Sequence, residues 1–187
     1  VNDVGNYIRT NVPRSYRAGL ELELGWQPAR TVKWNANATF SRNKIGEFTA
    51  FYDDYDTGEQ RRETFTNTDI AFSPNVIVGS QLAYTGVKDL EIALLSKYVG
   101  RQFLDNTSDP TRQLDAYFTN DVRLIYGLKP RFAKSLMLSL LLNNVFDELY
   151  ESNGYTFSYA AGGRLVTENF YYPQAGFNVL AGVTLKF

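Results

Sequence analysis

The chain contains no histidine and no cysteine. Without imidazole it lacks the general base of Ser-His-Asp and Cys-His nucleophile systems, and without either residue it has no credible zinc or copper site. The absence of cysteine also excludes a disulfide scaffold. The sequence therefore predicts no catalytic residues, no metal ligands, no cofactor and no enzymatic activity.

Positive charge and long apolar runs are also scarce. The 187 residues carry 19 Lys and Arg against 20 Asp and Glu, for a net charge of −1. Nucleic-acid binders need a positive excess to displace counterions, so we expect no nucleic-acid partner. The mean hydropathy is −0.30, and no apolar run approaches the ~18 residues of a membrane-spanning helix. At roughly 150 residues per domain, this is one domain or a piece of a larger one.

What the chain does have is alternation of apolar and polar residues. From Tyr16 to Trp26 every even position is apolar or aromatic, whereas the odd positions carry Arg, Glu and Gly. This period of two is typical of a strand with one apolar face. Two stretches, 90–104 and 135–150, are also compatible with amphipathic helices, but the flanking hairpins favour strands. The sequence thus predicts an all-β chain with seven strands, at 16–26, 32–41, 75–85, 90–101, 114–126, 136–142 and 177–187.

Alternation alone fits both a soluble sandwich and a membrane barrel. Three features favour the barrel. The segments run to ~10–14 residues, which meets the ~9–11 that a tilted membrane strand needs, and aromatic residues gather near their ends. The short connections 27–30, 86–89 and 127–134 fall on one side, opposite the long connections 46–73 and 148–174. We therefore predict an antiparallel transmembrane β-barrel segment, with even positions of the first six strands and odd positions of the seventh facing lipid.

Several motifs carry a family resemblance. Residues 143–150, NNVFDELY, look like the N-x-F-D-x-x-Y segment in the penultimate strand of TonB-dependent outer-membrane receptors. Residues 15–23 are similar to a strand of that family, residues 6–11 to the loop before it, and the style of the loops resembles Bacteroidetes members. The alternating last strand resembles the signal that the outer-membrane barrel assembly machinery binds, here Val183, Leu185 and Phe187.

The resemblance implies that residues 1–187 are the carboxyl-terminal third of a 22-stranded barrel whose plug domain is absent from this sequence. It further implies TonB-energised uptake, in the bacterial outer membrane, of a ferric siderophore, a corrinoid or a glycan. The implied partners are outer-membrane lipid, the remaining barrel and plug, TonB through that plug, the assembly machinery and the small-molecule ligand. One alternative is that residues 4–10 add an eighth strand to a small closed barrel with a structural or adhesive role. Another is a soluble carbohydrate-binding sandwich.

If the resemblance holds, ligand contacts come from the outward connections and the upper lumen. In 148–174 the candidate binding residues are Tyr155, Tyr159, Arg164, Tyr171 and Tyr172. Tyrosine offers apolar area and a hydroxyl with few rotors, although the same residues also suit an aromatic girdle or loop packing. The acidic run 53–59 departs from the EF-hand spacing, so we expect a solvated loop tip rather than a calcium site. The inward charges, such as Glu91 and Arg123, are expected to form structural ion pairs between strands.

Overall fold

The computed structural model describes residues 11–12 and 14–187, and the described part consists of strands and their connections. The possible extra strand at 4–10 lies outside the described residues. Among those residues, no helix is long and apolar enough to span a bilayer. The strands are β1 Ser15–Ala29, β2 Val32–Asp53, β3 Gln60–Asp69, β4 Val76–Val87, β5 Leu90–Val99, β6 Gln102–Phe103, β7 Gln113–Leu114, β8 Tyr117–Leu128, β9 Ser135–Asn143, β10 Glu151–Ala161, β11 Arg164–Pro173 and β12 Asn178–Lys186.

Seven of these strands form one antiparallel sheet in the order β1-β2-β4-β5-β8-β9-β12. They are the seven strands that the alternation predicts, so the strand assignment is confirmed, including the two stretches that were compatible with helices. The strand β3 pairs with the far half of β2, whereas β6 with β7 and β10 with β11 form separate two-stranded ladders. Every strand ladder in the described part of the chain runs antiparallel.

The register keeps the alternating apolar residues of all seven strands on one face. Directly paired residues of an antiparallel ladder share a face, so a chain of pairs traces a row across the sheet. The predicted parity is confirmed, and the face is uncovered at many positions: Trp26 is 56% exposed and Val183 71%. One such row runs Trp26, Trp34, Leu82, Leu94, Val122, Leu142, Val179.

The opposite face is polar and forms a concavity lined by Asn35, Asn37, Gln81, Lys97 and Asp121. The expected ion pairing is confirmed for Glu91 and Arg123, whose Oε1 and Nη2 lie 3.0 Å apart. It is wrong for the other inward charges of strands β1 to β8 that the structure describes, because they form no salt bridge with one another. Asp121, for example, accepts the backbone N–H of Asn144 instead, at 2.7 Å.

The connections differ at the two ends of the sheet. One end has the turns 30–31, 88–89 and 129–134. At the other end, the segments 46–73 and 148–174 are hairpins rather than irregular loops, because β2 continues to Asp53 and pairs with β3, and β10 pairs with β11. The buried apolar side chains gather mainly beneath these hairpins. They include Tyr52, Val99, Phe103, Leu104, Leu114, Tyr117 and Ala160.

The seven-stranded sheet is open. Within residues 14–187, β1 pairs with β2 alone and β12 pairs with β9 alone. Each outer edge thus presents backbone N–H and C=O groups without a ladder partner, which cost several kcal/mol apiece in hydrocarbon. The described residues therefore do not form the small closed barrel considered above.

Leu138 and Ser139 provide a test of the two faces, because they are neighbours in β9 and point to opposite sides. In the full-length polypeptide that carries this sequence, we expect Leu138→Arg to impair folding into lipid vesicles by ~2–4 kcal/mol, since an arginine on a lipid-facing strand must be desolvated. Ser139→Arg should be tolerated, because it points into the polar concavity. Equal tolerance of both substitutions, measured as the folded fraction in vesicles, would contradict lipid contact.

Candidate functional site: the outward hairpins

The NNVFDELY segment is a folded junction between β9, β10 and β12. Asn144 is 4% exposed; its side chain donates to the backbone oxygen of Glu148 at 2.9 Å and accepts the backbone N–H of the same residue at 3.0 Å. Asp147 accepts the backbone N–H of Phe177 at 2.8 Å. These side chains complete the hydrogen bonding of a non-repetitive backbone, as Asx side chains commonly do. The motif therefore sets where the β10–β11 hairpin leaves the sheet.

Arg112 holds the β10–β11 hairpin against the 104–112 connection. Its side chain is 4% exposed and lies 2.9 Å from Asp105 and 3.5 Å from Asp109. Its Nη2 atom donates to Thr167 Oγ1 of β11 at 3.0 Å. Since a buried guanidinium is costly unless it is paired, this network holds the 104–112 connection and the hairpin in one arrangement.

The two faces of the β10–β11 hairpin differ in chemistry. The face toward the 104–112 connection carries mainly small and polar residues, together with Leu165 and Tyr171, and a Cβ atom on Gly154 would lie 2.5 Å from the Phe170 carbonyl oxygen. Asn169 on this face donates to the Thr111 oxygen at 2.7 Å. Strand alternation places the other aromatic residues on the opposite face, where all except the half-buried Tyr159 are exposed. We call this set the aromatic row: Tyr155, Phe157, Tyr159, Phe170 and Tyr172, together with Tyr55 from the β2–β3 hairpin.

The rings of the aromatic row pair within two groups of three. The centroids of Tyr155 and Phe170 lie 4.7 Å apart in a stacked pair, and Tyr172 lies 6.2 Å from Tyr155. Toward the tip, Phe157 lies 5.6 Å from Tyr159, which in turn lies 5.3 Å from Tyr55. These separations fall in the range of favourable aromatic pairs. The row combines exposed apolar area with hydroxyl groups.

The tips of the two hairpins are joined at what we call the tip junction. The Asp56 carboxylate accepts the backbone N–H groups of Gly162 at 3.0 Å and Gly163 at 2.8 Å. These glycines have φ values of 61° and 74°, a conformation that glycine adopts without strain. The Tyr55 N–H also donates to the Ala160 oxygen at 2.9 Å. The junction thereby places the Tyr55 ring beside the Tyr159 ring.

The acidic run 53–59 is exposed at residues 55–59 and buried at Asp54. Asp54 is 4% exposed and pairs with Arg61, whose hydrogen bond lowers the pKa of the Asp54 carboxyl. The hydrogen bonds from Gly163 and Gly162 lower the pKa of Asp56 in the same way. In the part of the chain that the structure describes, no group of three or more acidic, His or Cys side chains is arranged to hold a metal ion. The expectation of a solvated tip is confirmed for residues 55–59, but Asp54 is buried and the Asp56 carboxylate also bonds the second hairpin.

The structure brings together three of the five candidate binding residues. Tyr155, Tyr159 and Tyr172 belong to the aromatic row, whereas Tyr171 points to the opposite face and Arg164 lies beside the turn. Whether these five bind a ligand stays a prediction. Three members of the row, Tyr55, Phe157 and Phe170, were not among the candidates. The alternation of 155, 157 and 159 signals Phe157, but Tyr55 and Phe170 depend on pairings that the sequence does not display.

Three solved structures show what the fold of this chain is similar to. The siderophore receptor PiuA from Acinetobacter baumannii matches 90% of this chain with a TM-score of 0.66 and 16% identity, over 21% of its own length. The ferric yersiniabactin uptake receptor FyuA from Yersinia pestis matches 89% with a TM-score of 0.55 and 18% identity, over 22% of its length. FpvA from Pseudomonas aeruginosa, solved bound to heterologous pyoverdines, matches 89% with a TM-score of 0.52 and 15% identity, over 19% of its length.

These likenesses show the fold. The described residues form an antiparallel sheet of the kind found in TonB-dependent outer-membrane receptor barrels, which confirms the predicted fold class. The chain spans about a fifth of the length of the structures it matches. No family model matches the chain, and no curated protein matches it by sequence.

The tip junction makes a prediction about Asp56. We expect Asp56→Ala to release the two tips, because the N–H groups of Gly162 and Gly163 lose their shared acceptor. The measurement is the distance distribution between nitroxide labels at Glu59 and Arg164 in the full-length polypeptide, with any other cysteine replaced. Because the folded pKa of Asp56 lies below its ordinary 3.8, the junction should persist as pH falls and open only below that value.

Asp53→Ala is the matched control, because the Asp53 carboxylate bonds Gln60 within its own hairpin at 2.9 Å. It should leave the distance distribution narrow. Two results would show that Asp56 does not hold the tips together. One is a distance distribution that stays equally narrow in Asp56→Ala. The other is a wild-type distribution that already broadens at a pH above the ordinary carboxyl pKa.

Proposed function

We propose that this chain is part of an outer-membrane receptor that takes up a ferric siderophore with energy supplied through TonB. The observation that carries the proposal is the aromatic row, which lies exposed on an outward hairpin of a sheet with the receptor-barrel fold. The similar structures named above support the substrate class, because they are a siderophore receptor, a ferric yersiniabactin uptake receptor and a complex with pyoverdine.

The membrane location rests on the apolar face. Seven strands present this face without any covering layer, and residues such as Leu22, at 50% exposure, and Val183, at 71%, would be bare in water. Soluble proteins seldom leave so large a continuous apolar surface exposed. Lipid covers such a face in a barrel, while the polar face lines the lumen. The same face argues against the soluble carbohydrate-binding sandwich.

The open edges of β1 and β12 support further partners. In a bilayer each edge needs a neighbouring strand, which the remainder of the proposed barrel supplies. That barrel would enclose the plug through which TonB acts. Val183 and Leu185 lie on the apolar face of β12, and together with the exposed Phe187 they are the residues we propose for recognition by the barrel assembly machinery.

The row is suited to ligands that combine rings with oxygen atoms. Tyr155 is 46% exposed and Tyr172 is 50% exposed, so both offer ring faces as well as hydroxyl groups. Tyrosine loses little conformational entropy on binding because it has few rotors. At the tip, the hydroxyl of Tyr159 donates to Glu168 at 3.2 Å, which fixes the orientation of that ring. Stacking on this row is the interaction that we assign to the siderophore.

Tyr155 and Tyr171 provide a test, because they are the same residue type on opposite faces of one hairpin. In the full-length receptor we expect Tyr155→Ala to weaken binding of ferric siderophores about tenfold, since it removes the centre of the row; that loss is about 1.4 kcal/mol. Tyr171→Ala should change affinity far less. Affinity would be measured by titrating the purified receptor with a panel of catecholate, hydroxamate and mixed ferric siderophores.

Binding of a panel member that is unaffected by Tyr155→Ala would remove the row from the ligand site. Equal losses in both variants would point to a folding effect rather than to stacking. If no member of the panel binds while a corrinoid or a glycan does, the substrate class is wrong.

A further inference from the structure

The turn end of the sheet is rich in positive charge. Its three turns contain five cationic residues and one carboxylate, that of Asp89. All five cations are exposed, and none takes part in a salt bridge within residues 14–187. They are Arg30, Lys88, Lys129, Arg131 and Lys134.

The hairpin end has the opposite balance. Its described non-strand residues include three cations, Arg14, Arg101 and Arg112, and Arg112 is buried in the pairs described above. Acidic residues outnumber them: Asp54, Asp56, Glu59, Asp105, Asp109, Asp115, Asp147 and Glu148. The near-zero net charge of the chain therefore hides a separation of charge along the strands. A random scatter of solubilising charges would not divide in this way.

The turn 129–134, with the sequence KPRFAK, combines cations with an exposed ring. Phe132 is 71% exposed and stands between Arg131 and Lys134 in the chain. On the apolar face just inside this end lie Trp26, Tyr84 and Tyr126. Aromatic rings favour the boundary between hydrocarbon and headgroups, so they indicate the level at which the bilayer ends. The unpaired cations lie immediately beyond that level.

We propose that the three turns form a binding surface for the phosphate headgroups of anionic phospholipids in the adjacent leaflet. Lysine and arginine near a membrane surface attract anionic headgroups, and Phe132 would enter the same interface. The inference rests on the membrane location proposed above. It goes further, because it assigns lipid selectivity to specific turns that no ligand-uptake role requires.

Electrostatic attraction to headgroups distinguishes this surface from a purely apolar boundary. Exposed phosphate contacts weaken as salt screens them, whereas burial of the apolar face against acyl chains does not. Selectivity for an anionic over a zwitterionic lipid should therefore fall with ionic strength while the barrel itself stays inserted.

The experiment uses the full-length polypeptide in phosphatidylcholine vesicles that contain phosphatidylglycerol. Electron spin resonance compares spin-labelled forms of the two lipids and gives their relative association constant at the protein surface. We expect enrichment of phosphatidylglycerol at the wild-type surface. The triple variant Lys129→Gln, Arg131→Gln, Lys134→Gln should bring the relative constant close to one, as should high salt.

The matched control removes three exposed cations from the hairpin half, Arg42→Gln, Arg62→Gln and Arg101→Gln, and should retain the enrichment.

Several results would overturn the proposal. One is equal enrichment of phosphatidylglycerol in the wild type and the turn variant, and another is an equal loss of enrichment in the control variant. A third is a loss of enrichment that added inorganic phosphate causes at constant ionic strength, which would indicate a site for free phosphate. Protection of the strand amides from hydrogen exchange reports insertion separately. A protein that inserts without lipid selectivity refutes this inference alone, whereas one that fails to insert refutes the membrane location on which it rests.

Discussion

Every second residue along seven strands must stay on the same side of the sheet, and this constraint underlies all other features of the molecule. A slip of one position between β8 and β9 would move Leu138 to the polar face and Ser139 to the apolar one. The paired rows that cross the sheet show that all six interfaces keep the register, apart from irregularities beside the turns after Trp26 and Tyr84. An apolar outer face, a polar concavity and open edges follow from it, as does the need for a lipid environment.

The same alternation continues into the outward hairpins, where it separates packing from exposure. In β10 and β11 the small and polar face contacts the 104–112 connection through Gly154, Thr167 and Asn169. The aromatic face is left free as a consequence. Arg112 fixes the base of this hairpin and Asp56 fixes its tip, so the exposed rings are held in place at both ends. A binding surface held in this way loses less entropy when a ligand stacks on it.

The strands could be predicted from the sequence because their signal is local and repeated, as in Tyr16 to Trp26. The hairpins at 46–73 and 148–174 were less accessible, since charged and glycine residues interrupt the pattern there. The tip junction depends on residues more than a hundred positions apart, Asp56 and the glycines 162 and 163. No spacing rule identifies such a pair. This is why the acidic run suggested only a solvated loop, while the structure also gives Asp56 a hydrogen-bonded role between the two hairpins.

The central claim is that this sheet forms one part of a larger closed barrel in a membrane. Amide hydrogen exchange at β1 and β12 in the full-length polypeptide, folded in a bilayer, tests it most directly. The account predicts that amides on the outer edges of both strands exchange as slowly as those of the interior strands β4 and β5, because neighbouring strands of the same barrel pair with them. Rapid exchange along either edge, in protein whose interior strands remain protected, would contradict the claim.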